Sequence, residues 1–446
     1  MTRLQLTLLS IVSALSTVAV LAGGAFSADG GPAISAAALS QPVTITAAVP
    51  TAAPPVADTT ASDPAPAADT TSSDTTSAET TASTDVPVTD ASGTTTTTEP
   101  ATTPKQPSTP ASDPAPKPAQ IQHVFVISLA GQGFDAAFGP QSQAPYLAQQ
   151  LRPQGALLTG ATSLGSADLP DELALIGGQP PNADTRAGCP TFKEIPPSAA
   201  PTKSGEITTS GCVFPNTVIT IGDQMTASGR TWRAYVEDLD KGTPPKTACR
   251  RPGSDAPDDA VHARPGDGYA TRHNPFVYYH SLLDLGDCDS SDGPLGRLET
   301  DLASVTTTPN YSYIAPNLCN DGTESPCLDG SAGGLPAADA FLQAWVPKIL
   351  ASPAFQSDGL LIVTFAGSVT PPAAGASPDA PVRNGTLLVS RFAKAGSTDD
   401  TAYDPYAMLR SVQDLFALKP LARSAKAPSF AATVLASARA PVAGDD

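Results

Sequence analysis

Two short, almost wholly apolar runs, His123–Leu129 (HVFVISL) and Leu360–Phe365 (LLIVTF), constrain the fold of this chain more than any other feature. Both are rich in Val, Ile, Leu and Phe, and the first ends at a small-residue loop, Ala130-Gly131-Gln132-Gly133. Runs of this kind read as strands buried on both faces of a parallel sheet. In open α/β sheets the loops at the carboxyl ends of such strands form the edge where ligands bind. The loop after Leu129 is thus the expected first wall of a pocket, yet it offers no carboxylate, hydroxyl or thiol before Asp135.

The segments between and around these runs alternate in type. A helix is expected from about Pro145 to near Gly155, a strand over Ala156–Thr162, and a helix opening at Ser166-Ala167-Asp168-Leu169-Pro170-Asp171-Glu172. There the spacing of Asp168 and Asp171 resembles a capping box, with Pro170 tolerated in the first turn. Free amides and the helix dipole at such a start favour an anion. Further on, the pattern predicts a helix over Thr217–Ser228, a strand over Thr231–Val236, and a helix over Leu295–Val305. Strands over Asn310–Ile314 and Thr386–Phe392 are expected with helices over Ala337–Leu350 and Tyr406–Leu418. Strands alternating with helices imply a largely parallel sheet covered on both faces, an α/β fold. The ends of the buried strands at Leu129, Thr162 and Phe365 should meet on one edge.

What precedes Gln120 has a different character. Residues 1–28 carry one Arg, a long apolar stretch and then small residues, as a signal peptide does, and the stretch is also long enough for an N-terminal membrane anchor. Either reading places the rest outside the cytoplasm. Residues 29–119 are dominated by Thr, Ala, Pro, Ser and Asp with almost no aromatic or large aliphatic side chains, so they cannot offset chain entropy by burial. A disordered linker is expected there, either bare or as an O-glycosylated stalk. The expected folded domain covers residues 120–425, with 426–446 a C-terminal tail.

The chain has 43 acidic against 25 basic residues, a net charge of −18 and a pI near 4.5. That balance argues against binding nucleic acid or anionic lipid through charge. All six cysteines, Cys189, Cys212, Cys249, Cys288, Cys319 and Cys327, fall in the expected domain. An even count in an exported chain reads as disulfides, and the sequential pairing closes the shortest loops. A zinc site is disfavoured, because no CxxC or Cys/His cluster occurs among the scattered His.

Taken in order, HVFVISL…FDAAFG, APYL…QGALLTG, LPDELALIGGQ, WRAYVED, YATRHNPFVYY, PNLCND, LLIVTF and YAMLRSVQDLFAL resemble the bacterial phosphoesterase family. That family includes acid phosphatases, phosphatidylinositol phosphatases and phospholipase C-type enzymes, and the resemblance implies the alkaline-phosphatase-like fold. The likeness spans nearly the whole domain. It fails at the positions where the family does chemistry. Family members place Glu-Asn after the first strand, for a metal, where this chain has Ala130-Gly131. They place His-Pro-Ser or His-Pro-Thr, with a nucleophilic hydroxyl, where this chain has Ser166-Ala167-Asp168. Their Asp-x-His becomes Asp321-x-Thr323. Their metal-binding Asp-Glu becomes Ala366-Gly367, and their Asn-His-Tyr becomes Asp404-Pro405-Tyr406. A hydroxyl attacks phosphorus at neutral pH only when metal ions lower its pKa and screen the phosphate charge. Several ligands must converge to hold those ions. The expected metal ligand set is therefore none, and a divalent cofactor is implied only if a rearranged site has replaced the lost one.

Five residues remain as candidates for a vestigial pocket. Asp168 stands at the nucleophile position, where a helix N-cap is the bland alternative. Asp321 reads as a residual ligand or as the cap of its own turn. Arg272, His273 and Asn274 lie, by resemblance, near the substrate and could hold a phosphate-like anion; the bland alternative for His273 is a structural hydrogen bond. His123 and His262 read as structural or solvent-exposed. Pairing Ser166 or Ser128 with His273 as a triad finds no support, since no G-x-S-x-G elbow occurs. The leading expectation is an exported phosphoesterase-family pseudoenzyme that binds a phosphate-containing small ligand or an envelope component. The alternatives are an active phosphomonoesterase or phosphodiesterase with a rearranged site, and a surface structural protein.

Overall fold

The computed structural model describes residues 121–368, 377 and 380–435. The signal or anchor segment and the linker lie outside the described residues, all of which belong to one compact unit, 105–446. Its centre is a single eight-stranded sheet in the order β4-β3-β5-β1-β6-β7-β2-β8. In chain order the strands are β1 (His123–Ala130), β2 (Ala156–Leu158), β3 (Trp232–Val236), β4 (Asp292–Pro294), β5 (Tyr311–Ala315), β6 (Gly359–Ala366), β7 (Thr386–Val389) and β8 (Ser397–Asp399).

β1 and β6 are the central pair, parallel and in register from His123↔Gly359 to Ala130↔Ala366. Every residue of β1 is buried, because alternate side chains enter two different cores. Val124 and Val126 of β1, with Leu360 and Ile362 of β6, face the core shared with helices Leu169–Gly177, Ile221–Ala227 and Pro405–Leu415. Phe125, Ile127 and Leu129, with Leu361, Val363 and Phe365, face the core under helix Gly334–Ala351. The apolar runs are continuous because both faces are covered.

One strand departs from the expected parallel order: β7 runs antiparallel to β6 and to β2. Antiparallel neighbours need no crossover helix, and the described residues between β6 and β7 hold none. β2 stops at Leu158, short of the expected Thr162. A Cβ at Gly160 would lie 2.4 Å from the carbonyls of Asp400 and Thr401, so the chain is pinched there and resumes as single bridges at Ala161 and Thr162. β7 likewise ends at Val389 rather than Phe392. The helix expected over Leu295–Val305 shrinks to Arg297–Asp301. Hydroxyls of Thr307 and Thr308 donate to the Asp301 carbonyl and replace the next helical turn. The helix expected from Thr217 starts at Ile221, where Thr220 and Asp223 form a capping box. The last helix ends at Leu415 rather than Leu418.

The disulfides are Cys189–Cys212, Cys249–Cys288 and Cys319–Cys327, the sequential pairing. Packing continues past residue 425, since Phe430 and Leu435 are fully buried in the first core. Among the described residues no helix is long and apolar enough to cross a membrane. On the second face Asp339 reaches from Gly334–Ala351 to accept from the amides of Tyr146, at 2.9 Å, and Leu147, at 2.8 Å. These amides open the helical turn Tyr146–Leu151 and have no intrahelical acceptor. Asp339→Ala is expected to cost roughly 2 kcal/mol or more by stranding both donors, and Asp339→Asn about half of that. Urea denaturation of the purified domain reads the difference.

Candidate functional site

The site is built on helix Leu169–Gly177, whose nine residues are all buried. Pro170 in the first turn and Gly178 in the left-handed conformation just past the end fix its limits. Its N-cap is Asp168 and its first turn carries Asp171 and Glu172, and a buried carboxylate needs partners. The sequence suggests that Asp168 and Asp171 cap one another, but each turns elsewhere.

Asp168 accepts from the Leu169 amide through Oδ1, at 2.8 Å. Its Oδ2 meets two basic groups from the 3₁₀ turn Thr271–His273: Arg272 Nε at 2.8 Å and His273 Nε2 at 3.1 Å. Arg272 also donates through Nη1 to the Val261 carbonyl, at 2.7 Å. Behind the imidazole, His273 Nδ1 lies 3.6 Å from Asp321 Oδ2. Asp321, fully buried, closes its own turn by accepting from the Thr323 amide at 2.7 Å and the Thr323 hydroxyl at 2.8 Å. Asp321 and Thr323 thus satisfy each other within the loop stapled by Cys319–Cys327.

Burial alone would raise the Asp168 pKa, but the His273 hydrogen bond and the Arg272 charge outweigh it and hold the carboxyl well below its usual range. Burial pushes the His273 imidazole down, while the Asp168 hydrogen bond and the Asp321 charge push it up, with a net rise. Burial lifts Asp321 to about 6 against the opposing pull of His273. The cluster is a cationic arm clasped by an ionised Asp168. Both Asp168 oxygens are engaged.

Asp171 ties loops together. Its Oδ1 accepts from the Leu164 amide and its Oδ2 from the Gly367 amide, each at 2.8 Å, and burial raises its pKa well above the ordinary range. Gly367 sits at φ +59, and a Cβ there would lie 2.6 Å from the Ser166 carbonyl oxygen and 2.8 Å from the Asp168 nitrogen. This backbone leaves no room for a side chain at 367. At the neighbouring strand end, Ala130 N donates to the Asp321 carbonyl at 2.8 Å and Gly131 N to the Ala366 carbonyl at 2.9 Å. Main chain therefore joins Ala130, Gly131, Asp321 and Ala366, positions at which the resemblance leads one to expect ligating side chains. Ser166 takes part through its carbonyl, which accepts from Ser368 N at 3.0 Å. Asp404 caps helix Pro405–Leu415 by accepting from Ala407 N at 2.9 Å, with Pro405 in the first turn.

Glu172 is a site residue that the sequence alone does not single out. It accepts from Ser128 Oγ at 2.8 Å and from Tyr313 Oη at 2.5 Å, and burial lifts it to about 7. The available signal was an acidic pair heading the apolar run LALIGG. Ser128, Asp171, Glu172, Thr364, Thr386 and Asp404 are among the residues lining a cavity of about 20 Å³ beside Ala366. That is room for about one water molecule, whereas small-molecule pockets run to roughly 300–1,000 Å³. Asn274, expected beside the pocket, is instead fully buried against Asp292. His123 is buried and bonded to Asp358 at 2.6 Å, and His262 is exposed.

Residues 141–419 match the phosphoesterase family, and the chain belongs to it. The match begins after β1, so Ala130 and Gly131 fall outside it. None of the curated proteins matches. Among solved structures, an alkaline phosphatase superfamily protein from Vibrio parahaemolyticus is similar at 14% identity and TM-score 0.37, over 68% of this chain and 67% of that one. A putative sulfatase from Bacteroides thetaiotaomicron is similar at 12% identity and TM-score 0.41, over 70% and 74%. The lipoteichoic acid synthase LtaP from Listeria monocytogenes follows at 9% identity and TM-score 0.39, over 71% and 76%. These are faint likenesses and assign nothing to this chain.

Two outcomes follow from the geometry. Asp168→Ala frees the Arg272–His273 arm, so millimolar acetate or formate should raise the Tm of the variant in a saturable way and leave the native protein unmoved. In the native protein the tethered carboxylate outcompetes free anions; differential scanning fluorimetry reads both. Tyr313→Phe removes one of the two side-chain donors to Glu172 and should cost roughly 1–3 kcal/mol in urea denaturation.

Proposed function

We propose that this chain is an exported phosphoesterase-family protein that has lost metal-dependent ester hydrolysis and serves as a binding domain. The observation that carries the reading is Gly367. At a position where the family supplies a metal-binding carboxylate, the backbone of Ser166–Asp168 stands where a Cβ would be. Ala130, Gly131 and Ala366 offer no ligand atom from the side chain. The carboxylates nearby, Asp168, Asp171, Glu172 and Asp321, are engaged by other groups of the protein. Among the described residues, three potential ligand atoms converge within 4.8 Å only at Cys249, Cys288 and Asp292 and at Cys319, Cys327 and Asp329. The sulfurs of both groups are in disulfides. The residues present do not fit a divalent metal.

Three disulfides support export, since such bonds persist in oxidising compartments. An acidic chain of pI near 4.5 does not favour nucleic acid as the partner. A phosphate-containing small ligand or an envelope component fits the lineage of the fold.

A second reading is an active phosphomonoesterase or phosphodiesterase with a rearranged site. It is favoured by one fact: Asp168, His273 and Asp321 do adjoin in space. A carboxylate clasped by a guanidinium and an imidazole is a poor nucleophile, however, and the imidazole spends Nε2 on Asp168 while its Nδ1 faces the buried Asp321.

The test is metal analysis of the purified protein together with hydrolysis of p-nitrophenyl phosphate and bis-p-nitrophenyl phosphate in added Mg, Mn, Ca or Zn. The expected result is substoichiometric metal and no turnover above the blank. Turnover that survives purification and disappears in Asp168→Ala would establish the second reading instead.

A further inference from the structure

Beneath the Arg272–His273 arm, Asn274 joins two 3₁₀ turns, Thr271–His273 and Pro275–Tyr278. Its side chain is fully buried and donates through Nδ2 to Oδ2 of Asp292, the first residue of β4, at 2.9 Å. The same Oδ2 accepts from the Cys249 amide at 2.7 Å, so this oxygen is well supplied. The other two oxygens of the pair are not: Asn274 Oδ1 and Asp292 Oδ1 are both buried, with no hydrogen-bond partner among the described residues.

Two orphaned acceptors on adjoining groups are costly, because each loses its hydration without gaining a donor. An amide and a carboxyl group joined N–H to O along one edge have one oxygen each left for the other edge. A carboxylate has no hydrogen to give, so that edge closes only if the acid keeps its proton. Among the described residues no cation forms an ion pair with Asp292. Arg250, stacked on the Tyr269 ring at 4.4 Å, spends its guanidinium on Asp267 at 2.8 Å. The other groups facing Asp292 are the Tyr269 phenol, which donates to the Arg250 carbonyl, the acidic Asp289, and the Cys249–Cys288 disulfide.

We propose that Asp292 is a neutral carboxylic acid in the native fold, sharing its proton with Asn274 Oδ1, and that this acid–amide pair positions the arm bearing Arg272 and His273. Burial, only partly opposed by the Asn274 side chain and the Cys249 and Gly293 amides, lifts the acid to about 7, in keeping with the geometry. The sign of the pH effect follows. A carboxyl whose folded pKa stands above its unfolded value of about 3.9 stabilises fully below that unfolded value. The contribution is lost as the pH rises through about 7. Asn274 and Asp292 are positioning residues here, and the inference holds whether or not the chain hydrolyses esters.

Asp292→Asn tests it, because an amide–amide pair closes the same ring without a titrating proton. Native and variant Tm should be close at pH 5, and the native protein should fall below the variant as the pH rises to 8, by a few degrees. In D₂O the native protein should show an infrared carbonyl band of a buried protonated carboxyl at pH 5 that the variant lacks. Positioning is read separately from the His273 imidazole NMR signals, expected to be native-like in Asp292→Asn and shifted in Asn274→Ala. A variant that fails to fold, or is destabilised equally at every pH, would mean that an ionised carboxylate is required and would overturn the shared proton. Unmoved His273 signals in Asn274→Ala would overturn the positioning role.

Discussion

The contact of Asp168 with Arg272 and His273 sets the condition for everything around it. It draws the head of a fully buried helix against a turn that arrives from over a hundred residues further along the chain. Charge-assisted bonds of this kind are strong only when both partners are held, and here each is held from behind. The Leu169 amide fixes one oxygen of Asp168, the Val261 carbonyl fixes the guanidinium, and Asp321 stands behind the imidazole. Arg272 and His273 are the basic groups that meet Asp168, and the chain itself supplies their anion.

The same logic runs through the neighbouring carboxylates. Asp171 spends both oxygens on backbone amides, Glu172 is satisfied by a serine and a tyrosine, and Asp321 by the threonine two residues on. Where the resemblance leads one to expect ligating side chains, this chain has main-chain hydrogen bonds between loop ends, and at Gly367 the backbone of Ser166–Asp168 stands where a Cβ would be. Groups that could have faced a metal or a substrate are used to knit the strand ends together. The cavity beside Ala366 has room for about one water molecule, where a small-molecule site would need to be far larger.

Much of the scaffold was legible in the sequence, because its signals are local. β1 and β6 announce themselves as apolar runs since both faces are buried, and Asp168 with Pro170 marks the start of the buried helix. The edge strands Asp292–Pro294 and Ser397–Asp399 are short and polar and carry no such signal. The antiparallel return of β7 is a matter of chain path rather than composition. At the site, the substituted positions could be read because they stand against a family pattern. The partnerships could not. Glu172 meets Tyr313 from 141 residues away and Asp171 meets Gly367 from 196, and no local pattern encodes such pairings. The resemblance places Asn274 beside a ligand, but at the joint between two 3₁₀ turns its side chain meets a buried acid instead.

Anomalous diffraction from crystals grown in millimolar Mn²⁺ tests the central claim most directly, since it finds an ion regardless of activity. The account predicts no manganese at the ends of β1 and β6, with Asp168 still on Arg272 and His273. An ordered manganese there, bound by Asp168 and Asp321 with the arm swung away, would contradict it.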